Sequence, residues 1–218
     1  MQQVHIPVAH EGAPFILFSA LCALVFALLE LICPALVFLA LTAFVLYFFR
    51  DPVRVLPTEA NALVCPADGK VIVVKEVDDS RFLGERAQKI SIFMNIFNVH
   101  VNRIPLGGRV EQIRMQPGRF YAADKEKAEL HNEYCALTIA TPGGSRYAVV
   151  QVAGLIARRI VCRAETGDTL TSGERYGIIR FGSRVDLYLP LQANIRVNVG
   201  DTVRAGESVL GDLHDSIS

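Results

Sequence analysis

The chain has 218 residues, which is enough for one ordinary domain and an appendage. Its 22 Lys and Arg balance 22 Asp and Glu, which argues against a nucleic-acid-binding protein. The five cysteines are odd in number and widely spaced without a C-x-x-C pair, so we expect neither a disulfide framework nor a zinc site. A reducing, cytoplasmic setting of the main part fits this cysteine usage best.

The first element in chain order is an apolar run over residues 15–49, with Glu30 as its one charged residue. As a single helix it would extend about 52 Å, whereas the hydrocarbon core of a bilayer is about 30 Å thick. Pro34 divides the run, because a proline deep in a helix removes a hydrogen bond and clashes with the preceding turn. The sequence therefore predicts two short helices, 15–33 and 35–49, folded as a hairpin that enters and leaves the same membrane leaflet.

A secretory signal peptide is the competing interpretation of this run. It fails because the residues before the run contain no Lys or Arg, and because the run is too long. Arg50, Asp51 and Arg54 follow directly, and the positive-inside tendency places them on the cytoplasmic side. We therefore expect residues 1–57 to be a membrane hairpin and linker, at the cytoplasmic face of the cell (inner) membrane.

Short strand patterns separated by turn signals fill the rest of the chain, residues 58–218. The predicted strands are 70–77, 89–96, 109–115, 135–141, 146–153, 184–189 and 195–199, and a helical pattern covers 122–131. Strands of this length and spacing are typical of a barrel or sandwich. The predicted fold class is therefore mainly β with minor α, preceded by the hydrophobic helical hairpin.

The segments GDTLTSGE (167–174) and GDTVRAGE (200–207) form an internal repeat. The residue types GD and GE make good turns by themselves, but two matching copies favour a quasi-repeat. The pattern resembles the turns of barrel-sandwich hybrid domains of the lipoyl-carrier type, so we expect the β domain to be barrel-sandwich-hybrid-like. A non-catalytic, membrane-tethered carrier or adaptor module is therefore the alternative function, although no Lys for a prosthetic group lies between Glu174 and Ser208.

Residues 184–189 alternate between polar and apolar, which predicts a half-buried strand. Extended back by one residue, this alternation puts Ser183 on the apolar face directly after Gly182. A bulge at the strand start is the structural explanation. The chemical explanation is that a serine Oγ able to reach the preceding carbonyl can attack its own backbone, and glycine leaves room for this approach. Ester formation and β-elimination then convert the serine into a pyruvoyl group, whose ketone condenses with amines and serves as an electron sink for decarboxylation.

This chemistry needs a base near the serine and an acid that reprotonates the carbanion. The candidates are Asp68 in the turn CPADGKV, His100 within the apolar strand pattern FNVHVNRIP, and His131 at the end of the polar helical pattern. Each also has an ordinary structural explanation, since turn aspartates bond their own loop and strand histidines are commonly structural.

Taken together, these segments resemble the phosphatidylserine decarboxylase family, in its shorter (type A) proenzyme branch. The matching segments are YFFRDP (47–52), PADG (66–69), NVHVNRIP (98–105), NE (132–133), QVAGLIARRI (151–160), FGSRVDLYLP (181–190) and GDTVRAGESVLG (200–211). Each segment is weak evidence alone, but their order and the Gly-Ser pair in this setting make the resemblance specific.

The resemblance implies autocatalytic cleavage between Gly182 and Ser183, giving a β chain of 1–182 and an α chain of 183–218. The cofactor implied is a covalent pyruvoyl group generated from Ser183, without metal or pyridoxal phosphate. The activity implied is decarboxylation of phosphatidylserine to phosphatidylethanolamine and CO₂. The partners implied are phosphatidylserine in the membrane and the two chains of the cleaved proenzyme as a heterodimer, with higher oligomers left open and no nucleic acid.

The resemblance also assigns roles to site residues. The processing aspartate of the family maps onto Asp68, and its decarboxylation histidine maps onto His100. Longer members carry a second histidine where this chain has Arg103, so the base for self-cleavage is left between His100 and His131; we favour His100. Arg103, with His131 as a second candidate, is expected to bind the lipid phosphate or the serine carboxylate of the substrate.

Overall fold

The computed structural model describes residues 7–59, 61–118, 132–154, 159–180 and 183–213. The chain divides into two compact units, Met1–Val53 and Arg54–Ser218. The predicted helix at 122–131 lies outside the described residues, as do His131 and Gly182.

The first unit is a pair of apolar helices, as predicted. A 3-10 turn, His10–Gly12, leads into α1 (Ala13–Leu28), and α2 follows at Ile32–Phe48. The break between the helices was predicted at Pro34 and instead lies at residues 29–31, where Glu30 has a φ of 60°. Pro34 belongs to the first turn of α2, where a missing N–H costs nothing because that N–H has no partner within the helix.

A short polar link joins α1 and α2. The Thr42 hydroxyl donates to Ser19 Oγ at 3.0 Å, and the Ser19 hydroxyl donates to the Phe15 carbonyl at 2.8 Å. Most of the remaining surface of both helices is exposed and apolar. By length and composition the run His10–Leu28 could cross a membrane, whereas Ile32–Phe48 is shorter; this is weak evidence of membrane association.

The second unit is built from antiparallel strands. They are β1 (Ala62–Val64), β2 (Gly69–Asp79), β3 (Glu85–Met94), β4 (Val101–Arg103), β5 (Gly108–Gln116), β6 (Tyr134–Ala140), β7 (Arg146–Ala153), β8 (Ile160–Cys162), β9 (Thr169–Leu170), β10 (Arg175–Ile179), β11 (Ser183–Pro190), β12 (Asn194–Ile195), β13 (Thr202–Val203) and β14 (Val209–Asp212). The eight-stranded sheet has the order β13-β2-β3-β11-β7-β6-β5-β9, and two three-stranded sheets have the orders β1-β14-β12 and β4-β10-β8. The curled half-barrel sheet confirms the mainly-β prediction.

Strand β11 lies in the middle of the large sheet, paired with β3 on one side and β7 on the other. Val185 and its alternate neighbours enter the main core, while Tyr188 on the opposite face joins a second apolar cluster. The alternation was predicted correctly, but the expectation of a half-buried strand was wrong because both faces are covered. Polar residues of the second face are buried as an ion cluster, with Arg184 Nε at 2.8 Å and Lys89 Nζ at 3.4 Å from Asp186 carboxylate oxygens.

The GD repeat is part of a larger duplication within this unit. Segment 66–71 reads PADGKV and segment 105–110 reads PLGGRV, and each pairs with one copy of the GD turn. The N–H of Gly200 donates to the Val71 carbonyl, and the N–H of Gly167 donates to the Val110 carbonyl, both at 2.8 Å. Each of these two segments is therefore joined to its GD turn by the same backbone hydrogen bond.

Candidate active site

Asp68 lies in the turn between β1 and β2, where its carboxylate is fixed from two directions. Arg54 Nη2 donates to both carboxylate oxygens, at 3.0 and 2.8 Å. The N–H of Ala205, in the second GD turn, donates to Oδ1 at 2.8 Å. Gly69, the next residue, has no space for a side chain, since a Cβ there would overlap the Phe93 carbonyl oxygen. The turn therefore holds a buried carboxylate in one orientation.

Arg54 was missed as a site residue in the sequence, where it was assigned only to the chain's exit from the membrane. Its side chain is 7% exposed and also lies 3.3 Å from Glu207. A lone arginine in a linker gives no sequence signal for such a contact. The only hint is that Asp68, once buried, needs a cationic partner, because buried carboxylates in proteins are paired.

His100 is completely buried and immediately precedes β4, rather than lying within a strand as predicted. Its Nδ1 lies 3.0 Å from the Asn98 carbonyl oxygen. Because a carbonyl can only accept, Nδ1 carries a proton in this arrangement, and Nε2 is the atom that can act as a base in the neutral ring. The carbonyl of His100 accepts from the N–H of Ile179 in β10 at 3.3 Å.

Ser183 is the first residue of β11 and is completely buried. It pairs with Met94, the last residue of β3, and with Ala153, the last residue of β7. Its Oγ lies 3.5 Å from the Met94 sulfur. The expectation that this serine lies on the apolar face is confirmed.

A chain of polar contacts connects Ser183 to the segment that carries His100. The Met94 sulfur is also approached by Asn102 Nδ2, at 3.7 Å, and Gln151 Nε2 donates to Asn102 Oδ1 at 2.8 Å. Gln151 is completely buried, and its Oε1 has no hydrogen-bond partner among the described residues. The sequence analysis missed Asn102 and Gln151. The sequence feature that could have identified them is a polar residue within a largely apolar strand pattern. Asn102 lies within VHVNRI, and Gln151 lies within AVVQVA.

Arg103 ends β4 and links two of the predicted segments. Its N–H donates to the Pro66 carbonyl at 2.9 Å, which joins the His100 segment to the turn of Asp68. Its side chain is buried, and Nη1 donates to the Gly173 carbonyl at 3.0 Å. The structure thus brings Arg103 next to the Asp68 turn, and it brings Ser183 next to the polar contacts of β4.

Comparisons with known protein sequences point to one family. The family model for phosphatidylserine decarboxylase matches residues 41–211. A protein of Desulfotalea psychrophila is 54% identical over 213 residues, covering 98% of this chain and 100% of the relative. Proteins of Oleidesulfovibrio alaskensis and Geotalea uraniireducens are 51% and 48% identical, covering 96% and 98% of this chain and 96% and 100% of the relatives. All three are named phosphatidylserine decarboxylase proenzyme.

The fold and site are those of a mainly-β enzyme with a buried serine at the start of a central strand. With the family model covering most of its length, the chain belongs to the phosphatidylserine decarboxylase family.

Proposed function

We propose that this chain is a proenzyme that cleaves itself between Gly182 and Ser183 and then decarboxylates phosphatidylserine to phosphatidylethanolamine and CO₂. The observation that supports it most is Ser183 itself, a completely buried hydroxyl at the first position of a central strand. Family membership and the proenzyme names of the relatives support the reaction and the need for processing. They oppose the alternative of a non-catalytic carrier module.

The surroundings of Ser183 fit a pyruvoyl group. Both Ser183 Oγ and Asn102 Nδ2 are directed at the Met94 thioether sulfur, which is a weak acceptor. A carbonyl oxygen is a stronger acceptor than a thioether sulfur, so the Asn102 amide could donate instead to the ketone oxygen that replaces the Ser183 nitrogen in a pyruvoyl group. A pyruvoyl group supplies a ketone that condenses with the substrate amine and withdraws electrons as CO₂ leaves.

In the proposed self-cleavage, Ser183 Oγ attacks the carbonyl carbon of Gly182 and the peptide bond becomes an ester. His100 Nε2 takes the hydroxyl proton, because Nδ1 already faces the Asn98 carbonyl, and returns it to the Ser183 nitrogen as the C–N bond breaks. Loss of the Ser183 Cα proton breaks the ester and releases Gly182 as a carboxylate. One water then hydrolyses the remaining unsaturated residue, releasing ammonia. Asp68 assists the self-cleavage. It lies in the turn whose Pro66 carbonyl accepts the N–H of Arg103, a bond that joins this turn to the His100 segment.

In the proposed decarboxylation, His100 returns a proton to the carbon that has lost CO₂. Arg103 holds the lipid phosphate or the serine carboxylate, because charge-assisted bonds to an anion are stronger than its present bond to the Gly173 carbonyl. His131 remains the second candidate for binding the substrate.

The proposed setting is the cytoplasmic face of the inner membrane, with residues 1–57 as the anchor and 58–218 as the catalytic domain. The helix pair of the first unit would keep the enzyme in the leaflet that holds its substrate. After cleavage, chains 1–182 and 183–218 would stay together as a heterodimer. Support for this comes from β11, which begins the second chain and pairs along its length with β3.

The test is the release of labelled CO₂ from carboxyl-labelled phosphatidylserine by the purified full-length protein in detergent. We expect activity from the unmodified chain and none from Ser183→Ala. Ser80→Ala, at an exposed turn position, is the matched control and should retain full activity. Activity in Ser183→Ala, or none in the unmodified and control chains, would overturn the proposal.

A further inference from the structure

The turn between β3 and β4 holds an exposed aromatic ring on a well-ordered backbone. Phe97 is 60% exposed. The Asn95 N–H donates to Asn98 Oδ1 at 2.9 Å, the Phe97 N–H donates to Asn95 Oδ1 at 2.8 Å, and the Asn98 N–H donates to the Asn95 carbonyl at 3.1 Å. These bonds fix the turn that presents the ring, although exposing a large apolar group to water is unfavourable.

This turn lies at the end of the sheet where the candidate active site is found. It begins directly after Met94, whose sulfur contacts Ser183 Oγ. It ends at Asn98, whose carbonyl oxygen lies 3.0 Å from His100 Nδ1. Phe97 is therefore three residues from Met94 on one side and three from His100 on the other.

Two arginines lie at the neighbouring strand ends. Ile160 pairs with Ile179 at the end of β8 and β10, and Arg159 and Arg180 are the residues immediately beyond this pair. The N–H of Ile179 donates to the His100 carbonyl, so these arginines lie beside the histidine segment. Arg159 is exposed, whereas Arg180 is half-buried with its Nε inside the protein. An exposed aromatic ring combined with an exposed cationic residue is the composition that binds the surface of anionic membranes.

We propose that Phe97 inserts into the interface of an anionic phospholipid bilayer and docks the Ser183 end of the large sheet on the membrane. This inference rests on the proposed function, which requires a lipid headgroup to reach Ser183. An aromatic side chain at the level of the headgroups would replace its contact with water by contact with lipid. The headgroup then enters the site beside His100 while the acyl chains stay in the bilayer.

The chain offers a matched control at the other end of the same strands. Leu191 follows Pro190, which ends β11 opposite Ala87, and it is 41% exposed. The seven residue steps from Ser183 to Pro190 correspond to roughly 23 Å. The protein contains no tryptophan, so Phe97→Trp and Leu191→Trp each create a single fluorescent reporter.

The experiment compares Phe97→Trp and Leu191→Trp in the full-length protein, reconstituted into vesicles of phosphatidylserine and phosphatidylcholine. Each is measured with and without lipids brominated near the headgroup. We expect blue-shifted emission and strong quenching by bromolipid for Phe97→Trp, and neither for Leu191→Trp. Absence of quenching in Phe97→Trp, or equal quenching in both, would overturn the proposal. A blue shift that grows with protein concentration in detergent and is not quenched by bromolipid would assign Phe97 to contact with a second copy, and also overturn it.

The same two reporters are measured in the Ser183→Ala background. Insertion of the ring does not require cleavage or catalysis, so quenching of Phe97→Trp should persist there. Quenching without CO₂ release by the otherwise unmodified chain would leave the docking inference standing and remove the proposed function. CO₂ release without quenching of Phe97→Trp would support the proposed function and overturn the docking inference.

Discussion

Arg54 Nη2 donates hydrogen bonds to both carboxylate oxygens of Asp68, at 3.0 and 2.8 Å, and both side chains are largely buried. This pair connects the linker after the helical hairpin to the turn that the family resemblance marks as the processing acid. A buried carboxylate is held in place only while its partner remains, because removal of one member leaves an uncompensated charge.

Replacement of Arg54 by methionine is therefore expected to lower the free energy of unfolding by about 3 kcal/mol and to slow self-cleavage. Thermal unfolding in detergent, in the Ser183→Ala background, measures stability with all chains uncleaved. The proportion of uncleaved chain after synthesis measures processing. Arg86→Met is the control, because its ion pair with Glu76 is exposed, at 63% and 58% for the two side chains. It should change stability by less than about 0.5 kcal/mol, and equal effects of the two substitutions would contradict the role of Arg54.

Gly69 is expected to tolerate no side chain. A Cβ would overlap the Phe93 carbonyl oxygen, so Gly69→Ala should cost about 3 kcal/mol of stability and disturb the turn that holds Asp68. Gly144→Ala is the comparison: its φ is 85°, but among the described residues nothing other than its two chain neighbours lies within 4 Å of the added Cβ. Backbone strain alone should cost about 1 kcal/mol there. A larger loss of thermal stability in Gly144→Ala than in Gly69→Ala would contradict this prediction.

Cys162 should be the most reactive thiol of the globular unit. A hydrogen bond with the Cys135 thiol lowers the pKa of Cys162 to about 7, whereas burial raises the pKa of Cys65. The reactive thiolate of Cys162 should therefore form as the pH rises through about 7, below the usual range near 8.5. Alkylation with iodoacetamide, followed by peptide mass spectrometry between pH 6 and 9, measures this profile.

The matched variant for this test is Cys135→Ala. Without the thiol partner, the labelling profile of Cys162 should move to higher pH, while Cys65 stays unlabelled in both proteins. An unchanged profile would show that the Cys135 thiol does not set the acidity of its neighbour.

His100→Ala is expected to abolish both self-cleavage and CO₂ release, each by at least about 100-fold, since one base is proposed for both steps. Denaturing gels follow cleavage, and labelled CO₂ follows decarboxylation. Cleavage at the normal rate with loss of CO₂ release would divide the roles, and the base for self-cleavage would then have to be sought elsewhere, with His131 as the first candidate.

The alternation of residues 184–189 was sufficient to predict the strand and the inward direction of Ser183. It could not reveal that the opposite face is buried too, because Arg184 and Asp186 are polar residues that are buried in an ion cluster with Lys89 of β3, a neighbouring strand that is distant in sequence. Periodicity reports which residues share a face, and the element covering that face is a property of the tertiary structure.

Short strands such as β9 and β13 were missed because two residues carry no measurable period. The duplication was recognised only in the GD turns, although PADGKV and PLGGRV are also readable in the sequence. Asp68 occupies the position that Gly107 occupies in the other copy. The two copies thus differ at this position, where one has a carboxylate and the other has glycine. A charged side chain in only one copy indicates a functional role for Asp68, which the turn by itself does not.

The central claim is that Ser183 becomes the first residue of a new chain. Denaturing mass spectrometry of the purified, active protein tests it most directly. We predict a fragment for residues 183–218 whose N-terminal residue is a pyruvoyl group, resistant to Edman degradation, together with a fragment for residues 1–182. An intact chain of 24.0 kDa in a preparation that releases CO₂ from phosphatidylserine would contradict the claim.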